Sequence, residues 1–143
     1  MRGASVAKIP PPAATAPAPA VAEFTIGLML TLLRSVQLSN MEMHKGKWHR
    51  HFGRRLSEVT IGIIGVGRVG TGVLQHLKGF GSPIILVNDT LPNKKLDQYF
   101  NIEWDEKEQI YQEADFISLH TPLTILTKNM IKKLYIIFII KTI

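Results

Sequence analysis

"IGIIGVGRVG", residues 61–70, is the stretch from which the fold is read. With Val59 and Thr60 before it, it opens as an apolar run of strand length and passes directly into Gly-x-Gly-x-x-Gly. The three glycines have separate tasks in such a turn. Gly65 lets the chain bend sharply as the strand ends, Gly67 has no Cβ to block a pyrophosphate, and Gly70 lets the next helix pack closely on the strand. Backbone amides at the start of that helix would face the phosphates, and the helix dipole adds roughly 0.3–1 kcal/mol of attraction. Val69, Val73, Leu77 and Phe80 mark the apolar face of the helix, and Gly79 and Gly81 can end it. A glycine pattern is weak on its own, so the flanking sequence carries the decision.

Downstream, "PIILVND" from residue 83 is a second buried strand and "FNIEW" from residue 100 a shorter third. "EKEQIYQ" from residue 106 is a helical turn or two, and "ADFISLH" from residue 114 a fourth strand. No Asn-Gly hairpin signal separates them. The alternation predicts an α/β fold, a Rossmann-type doubly wound parallel sheet of four to five strands with right-handed crossovers. Asp89, directly after the second strand, stands about 20 residues beyond the turn, where an acid accepts hydrogen bonds from the adenosine ribose hydroxyls. A carboxylate there repels a 2′-phosphate, so the expected cofactor is NAD rather than NADP; the competing reading of Asp89 is a turn residue before "TLPN". "SLHTPLTILT", residues 118–127, ends the fourth strand beside the same crevice. His120 lies in it with no paired carboxylate in view, and is read as structural or as a wall of the cofactor pocket rather than as a catalytic group.

Upstream, residues 1–20 are mostly alanine and proline, and the prolines at 10, 11, 12, 17 and 19 argue for an arm rather than a helix. From there Ala22, Ile26, Met29, Leu33 and Val36 recur at helical spacing, with Glu23 near the start; Leu28, Leu30 and Leu32 widen the stripe. So apolar a helix needs partners on more than one side. Lys45, Lys47, Arg50, Arg54 and Arg55 then crowd beside His44, His49 and His51. This cluster could attract an anion or nucleic acid, but no recognised nucleic-acid motif accompanies it, and a solvated loop is the favoured reading. His49 and His51 lack a third ligand at metal spacing, so no metal site is expected.

The 143 residues, 45% hydrophobic with a net charge of +6, suit one compact domain. With no cysteine, disulfides, thiolate zinc sites and a cysteine nucleophile are excluded. No stretch reaches the roughly 18–20 apolar residues that span a bilayer, and a soluble, cytoplasmic protein is expected. The expected organisation is an arm at 1–20, a partial NAD-binding domain at 21–131, and an apolar tail at 132–143. The tail, "KKLYIIFIIKTI", has the composition of one more strand and is an aggregation hazard if exposed.

Four motifs in order resemble the D-isomer-specific 2-hydroxyacid dehydrogenases, the group that includes D-3-phosphoglycerate, D-lactate, glycerate and formate dehydrogenases. They are "AVAEFTIGLMLTLLR" at 20–34, "GKW" at 46–48, "IGIIGVGRVG" at 61–70 and "HTPLTILT" at 120–127. The resemblance implies an NAD-binding domain with Arg68 and Val69 at the pyrophosphate, Asp89 at the ribose, and Thr121 and Pro122 along the cofactor cleft. It also implies a long first helix, about Val21 to Met43, at the hinge and in a homodimer contact. The family's later Asn-Thr-x-Arg-Gly motif, with the glutamate and histidine that follow it, is not found in these residues, and the pattern is lost beyond about Lys133. No catalytic residue is therefore assigned, and the expectation is an NAD-binding fragment of a 2-hydroxy acid oxidoreductase that does not turn over by itself. The alternative is a non-catalytic, NAD-responsive interaction module, as in the corepressor branch of the family. A nucleic-acid binder using residues 44–55 is a third reading.

Overall fold

The computed structural model describes residues 18–81 and 83–131. Two helices, α1 (Ala18–Leu33) and α2 (Val36–His44), lead through the basic loop to β1 (Thr60–Ile64). Then come α3 (Arg68–Leu77), β2 (Ile84–Asn88), β3 (Glu103–Trp104), α4 (Lys107–Glu113) and β4 (Phe116–Leu119). The four strands form one parallel sheet in the order β3-β2-β1-β4. Ile63 lies beside Val87 of β2 on one side and Ser118 of β4 on the other.

The alternation of side chains along a strand explains the layering. Ile61 and Ile63 of β1 join Ile85 and Val87 of β2 in a core completed by Ala22, Ile26 and Met29 of α1 and Val73, Leu74 and Leu77 of α3. Ile64 and Leu86 point to the other face, against Ile110, Tyr111 and Ala114 at α4. Helices thus cover both faces of a parallel sheet, the doubly wound α/β architecture that the sequence predicts. β1 runs centrally and is buried at four of its five residues, whereas β4 is half-buried. The chain leaves β1 toward β2 and β3, then returns across the sheet to β4. That reversal, between β1 and β4, opens a crevice at the carboxyl ends of the strands.

Three expectations need correction. The helix begins at Ala18, not after residue 20, because Pro19 falls in its first turn, where a missing N–H costs nothing. The helix expected over 21–43 is not continuous: Ser35 adopts φ 51°, ψ 37°, and the axes of α1 and α2 meet at a 65° bend. The Leu33 carbonyl accepts a hydrogen bond from the Arg54 N–H (3.2 Å) instead of one from the next helical turn. In consequence Val36 leaves the buried stripe and lies about half exposed. Phe80 likewise leaves the face of α3, since the helix stops at Leu77 and a 3-10 turn, Lys78–Phe80, carries the ring outward. The tail at 132–143 and the arm up to residue 17 lie outside the described residues.

Candidate dinucleotide site

The glycine turn follows from what each position touches. Gly65 has φ +95°, and a Cβ built on it would stand 2.7 Å from the His120 carbonyl oxygen. Only glycine meets both the left-handed backbone and this close approach of β4. A Cβ on Gly70 would collide with the Gly65 carbonyl oxygen, so the first turn of α3 can lie against the strand end only without a side chain. A Cβ on Gly67, by contrast, meets no protein atom within 4 Å. The space in front of Gly67 is open, and the first backbone bond of α3 runs from the Thr71 N–H to the Gly67 carbonyl (2.9 Å). The amides of Arg68, Val69 and Gly70 precede that bond, at the helix terminus where amides have no intrahelical acceptor. Turn, cleared space and unpaired amides together fit a pyrophosphate.

Asp89 completes the same end of the sheet. Its Oδ2 accepts a hydrogen bond from the Val66 N–H (2.7 Å), while Oδ1 accepts from the Leu91 N–H (3.0 Å) and the Thr90 hydroxyl (3.3 Å). Burial alone would raise its pKa, but the bonds from Leu91, Val66 and Thr90 outweigh that and hold the carboxyl below its ordinary value. Beyond it lies a cavity of about 360 Å³ lined by Asn88, Asp89, Thr90, Trp104 and Asp105, among others. The Trp104 indole N–H bonds Asp97 Oδ1 (2.6 Å), and the Lys94 ammonium stands 5.1 Å from the ring centre.

His120, Thr121 and Pro122 leave β4 on the opposite side of the turn. The His120 ring lies half-buried with Nε2 2.9 Å from the Ser118 hydroxyl, and burial pushes its pKa down. No carboxylate shares this contact. The Thr121 methyl is 3.0 Å from the position of a Gly65 Cβ, and Thr121 and Pro122 line a cavity of about 310 Å³ with Leu119 and Met130. The strand ends thus bring Gly65, Gly67, Arg68, Val69, Gly70, Asp89, His120, Thr121 and Pro122 to one edge of the sheet. Among the described residues, no group of three or more His, Cys, Asp or Glu side chains is arranged to hold a metal ion.

The basic loop is more anchored than a plain solvated loop. His51 Nε2 lies 2.7 Å from Glu42 Oε2, the His49 and His51 rings are in contact, and Arg54 bonds Asp115 Oδ1 (2.8 Å). Trp48 and Phe52 are nonetheless more than four-fifths exposed.

Sequence reasoning did not foresee the bonds from Val66 to Asp89 and from Ser118 to His120. Both were open to it: residues 118 and 120 share a face by the two-residue period, and residues 66 and 89 follow adjacent parallel strands.

Comparison with known proteins agrees with this geometry. A family model described as "D-isomer specific 2-hydroxyacid dehydrogenase, NAD binding domain" matches residues 26–136. The chain belongs to the D-isomer-specific 2-hydroxyacid dehydrogenases. Among its relatives in this family, the aromatic 2-oxoacid reductase of Clostridium sporogenes is 37% identical over 115 residues, 79% of this chain and 34% of that protein. The structure of the Lactobacillus jensenii D-lactate dehydrogenase with NAD+ superposes with TM-score 0.72 at 32% identity, covering 81% of this chain and 35% of the other. The Aquifex aeolicus D-lactate dehydrogenase, solved with NAD and lactic acid, gives TM-score 0.78 at 29% identity, covering 87% and 38%. The chain thus spans about a third of the length of these dehydrogenases. The matched region is the family's NAD-binding domain, and NAD is its cofactor. No single helix among the described residues is long and apolar enough to cross a membrane.

Proposed function

We propose that this chain is the NAD-binding part of a cytoplasmic oxidoreductase acting on the CH–OH group of a 2-hydroxy acid. One observation carries the reading: the cleared space at Gly67 and the carboxylate of Asp89 stand at the same end of the sheet, joined through Val66. In this reading the amides of Arg68 and Val69, with Gly65, Gly67 and Gly70 around them, hold the pyrophosphate. Asp89 accepts the ribose hydroxyls, and its charge disfavours a 2′-phosphate. His120, Thr121 and Pro122 form the opposite wall. His120 serves there as a neutral, Ser118-bonded side chain rather than as an acid–base catalyst.

Bound NAD supplies the hydride acceptor. Taking the hydroxyl proton and gripping the substrate carboxylate need a base and a cation near that acceptor, and losing either usually costs orders of magnitude. Of the ionisable groups at the cleft, this reading assigns Arg68 to the pyrophosphate, Asp89 to the ribose and His120 to its bond with Ser118, which leaves none of them for that pair. The 143 residues on their own are therefore proposed to bind NAD without turnover.

A second reading, a non-catalytic NAD-responsive interaction module, draws on the exposed apolar side chains of Phe24, Leu28, Leu32, Trp48 and Phe52. Titration of the purified chain with NADH, followed by nicotinamide fluorescence, tests the binding common to both. Asp89→Ala should weaken binding and Gly67→Leu should abolish it; an unmodified chain that leaves NADH fluorescence unchanged refutes both. Turnover of any D-2-hydroxy acid by the isolated chain would refute the proposed inactivity.

A further inference from the structure

Asp89 is expected to act on the ribose, yet its carboxylate is already occupied with the protein's own backbone. Oδ2 accepts the Val66 N–H at 2.7 Å, the shortest of its bonds, and Val66 is the residue between the first two glycines of the turn. The adjoining Gly65 N–H donates to the Asn88 carbonyl (2.8 Å), one residue before Asp89. Two successive amides of the phosphate turn are thus held by two successive residues at the end of β2. Val66 itself is nearly buried, so its amide has little water to turn to if the carboxylate is removed. Gly65 cannot stabilise the turn unaided, because its positive φ is only one of the states open to a glycine in a flexible chain. Oδ1 meanwhile fixes the following loop through Leu91 and Thr90.

We infer that Asp89 is a positioning residue for the pyrophosphate turn as well as a ribose acceptor, so that one carboxylate couples the two halves of dinucleotide recognition. This inference rests on the assignment of the cleft to NAD. The Asp89–Val66 bond holds the turn in its phosphate-receiving shape before any ligand arrives. A ligand that lacks ribose hydroxyls altogether still depends on Asp89, because the amides that receive its phosphates are set by the same side chain.

The two roles separate in a calorimetric comparison of ADP with its 2′,3′-dideoxy analogue on the full chain. For the unmodified protein, ADP should bind more tightly than the analogue. Asp89→Ala should weaken the analogue as well as ADP, by about tenfold or more, the scale of a lost hydrogen bond to a charged acceptor. Asp89→Asn, which keeps a neutral oxygen for Val66, should recover part of the affinity for the analogue. Equal affinity of the unmodified and Asp89→Ala chains for the dideoxy compound overturns the inference while leaving the NAD site intact; binding of neither nucleotide by the unmodified chain overturns both. Amide exchange gives an independent readout. In Asp89→Ala the Val66 amide should exchange faster while those of Ile63 and Val87 in the adjoining strands hold their rates. Uniform acceleration would mean general destabilisation and would count against the coupling.

Discussion

Asp115 joins three parts of the chain that sequence order keeps apart. One oxygen accepts from Arg54 (2.8 Å) and the other from the Thr60 N–H at the start of β1 (2.9 Å), while Arg54 also donates to the Glu58 carbonyl. Burial opposes ionisation of this carboxyl, but the bonds from Arg54 and Thr60 prevail and lower its pKa. A carboxyl whose folded pKa lies below its unfolded value of about 3.9 stabilises the fold above that value, and the contribution is lost as pH falls through the folded pKa. Asp115→Asn should therefore cost about 1 kcal/mol at neutral pH and almost nothing once both states are protonated, as urea unfolding at a series of pH values would record. His120 follows the same sign for a different reason. Burial depresses its pKa, so the neutral ring is the native form, and stability falls as pH drops from about 6.5 through the folded value. Its imidazole resonance should titrate below about 6.5, and His120→Gln should flatten stability across that interval; a midpoint above 6.5 would contradict the burial argument.

At the scale of elements, α1 and α2 are joined by a residue in an unfavourable conformation. Ser35 stands at positive φ with no side-chain hydrogen bond to the helix that follows. A left-handed backbone costs an L-residue roughly 1–2 kcal/mol, so Ser35→Gly should raise stability, by up to about 1 kcal/mol once the added freedom of glycine in the unfolded chain is deducted. Thermal unfolding would detect the gain, and a loss would show that the bend needs the serine. This junction also marks where the sequence stopped being legible. The strands, α3, α4 and the glycine turn were readable because period, length and turn chemistry are local properties, and Gly65, Gly67 and Gly70 spell the turn within six residues, although the His120 carbonyl that also demands Gly65 comes from the end of β4. The bend was not, because it depends on the Arg54 amide arriving from a distant loop to take the Leu33 carbonyl. The same holds for the departure of Phe80 from the face of α3, which follows from the 3-10 turn over Lys78–Phe80 rather than from the periodicity of 69–80.

At the scale of the molecule, the outer face of α1 carries an apolar row that no other described element covers. Val21, Phe24, Leu28 and Leu32 fall at helical spacing and are 40–66% exposed, whereas Ala22, Ile26 and Met29 on the inner face are buried. A homodimer through the 21–43 region, which the family resemblance implies, would cover this row. Sedimentation velocity should give a concentration-dependent dimer that the pair Phe24→Asp and Leu28→Asp converts to monomer without loss of helicity; a monomer at all concentrations would reject it. The sheet order has a further consequence, for time rather than shape. β1 is flanked by β2, its near neighbour in sequence, and by β4, which pairs Phe116 with Ile61 across most of the domain. Closing so long a loop is entropically slow, and until it closes the His120 carbonyl cannot lie against Gly65. Refolding after dilution from urea should therefore regain helical signal first and the ability to enhance NADH fluorescence only in a later phase, so that the cofactor reports the arrival of the last described strand.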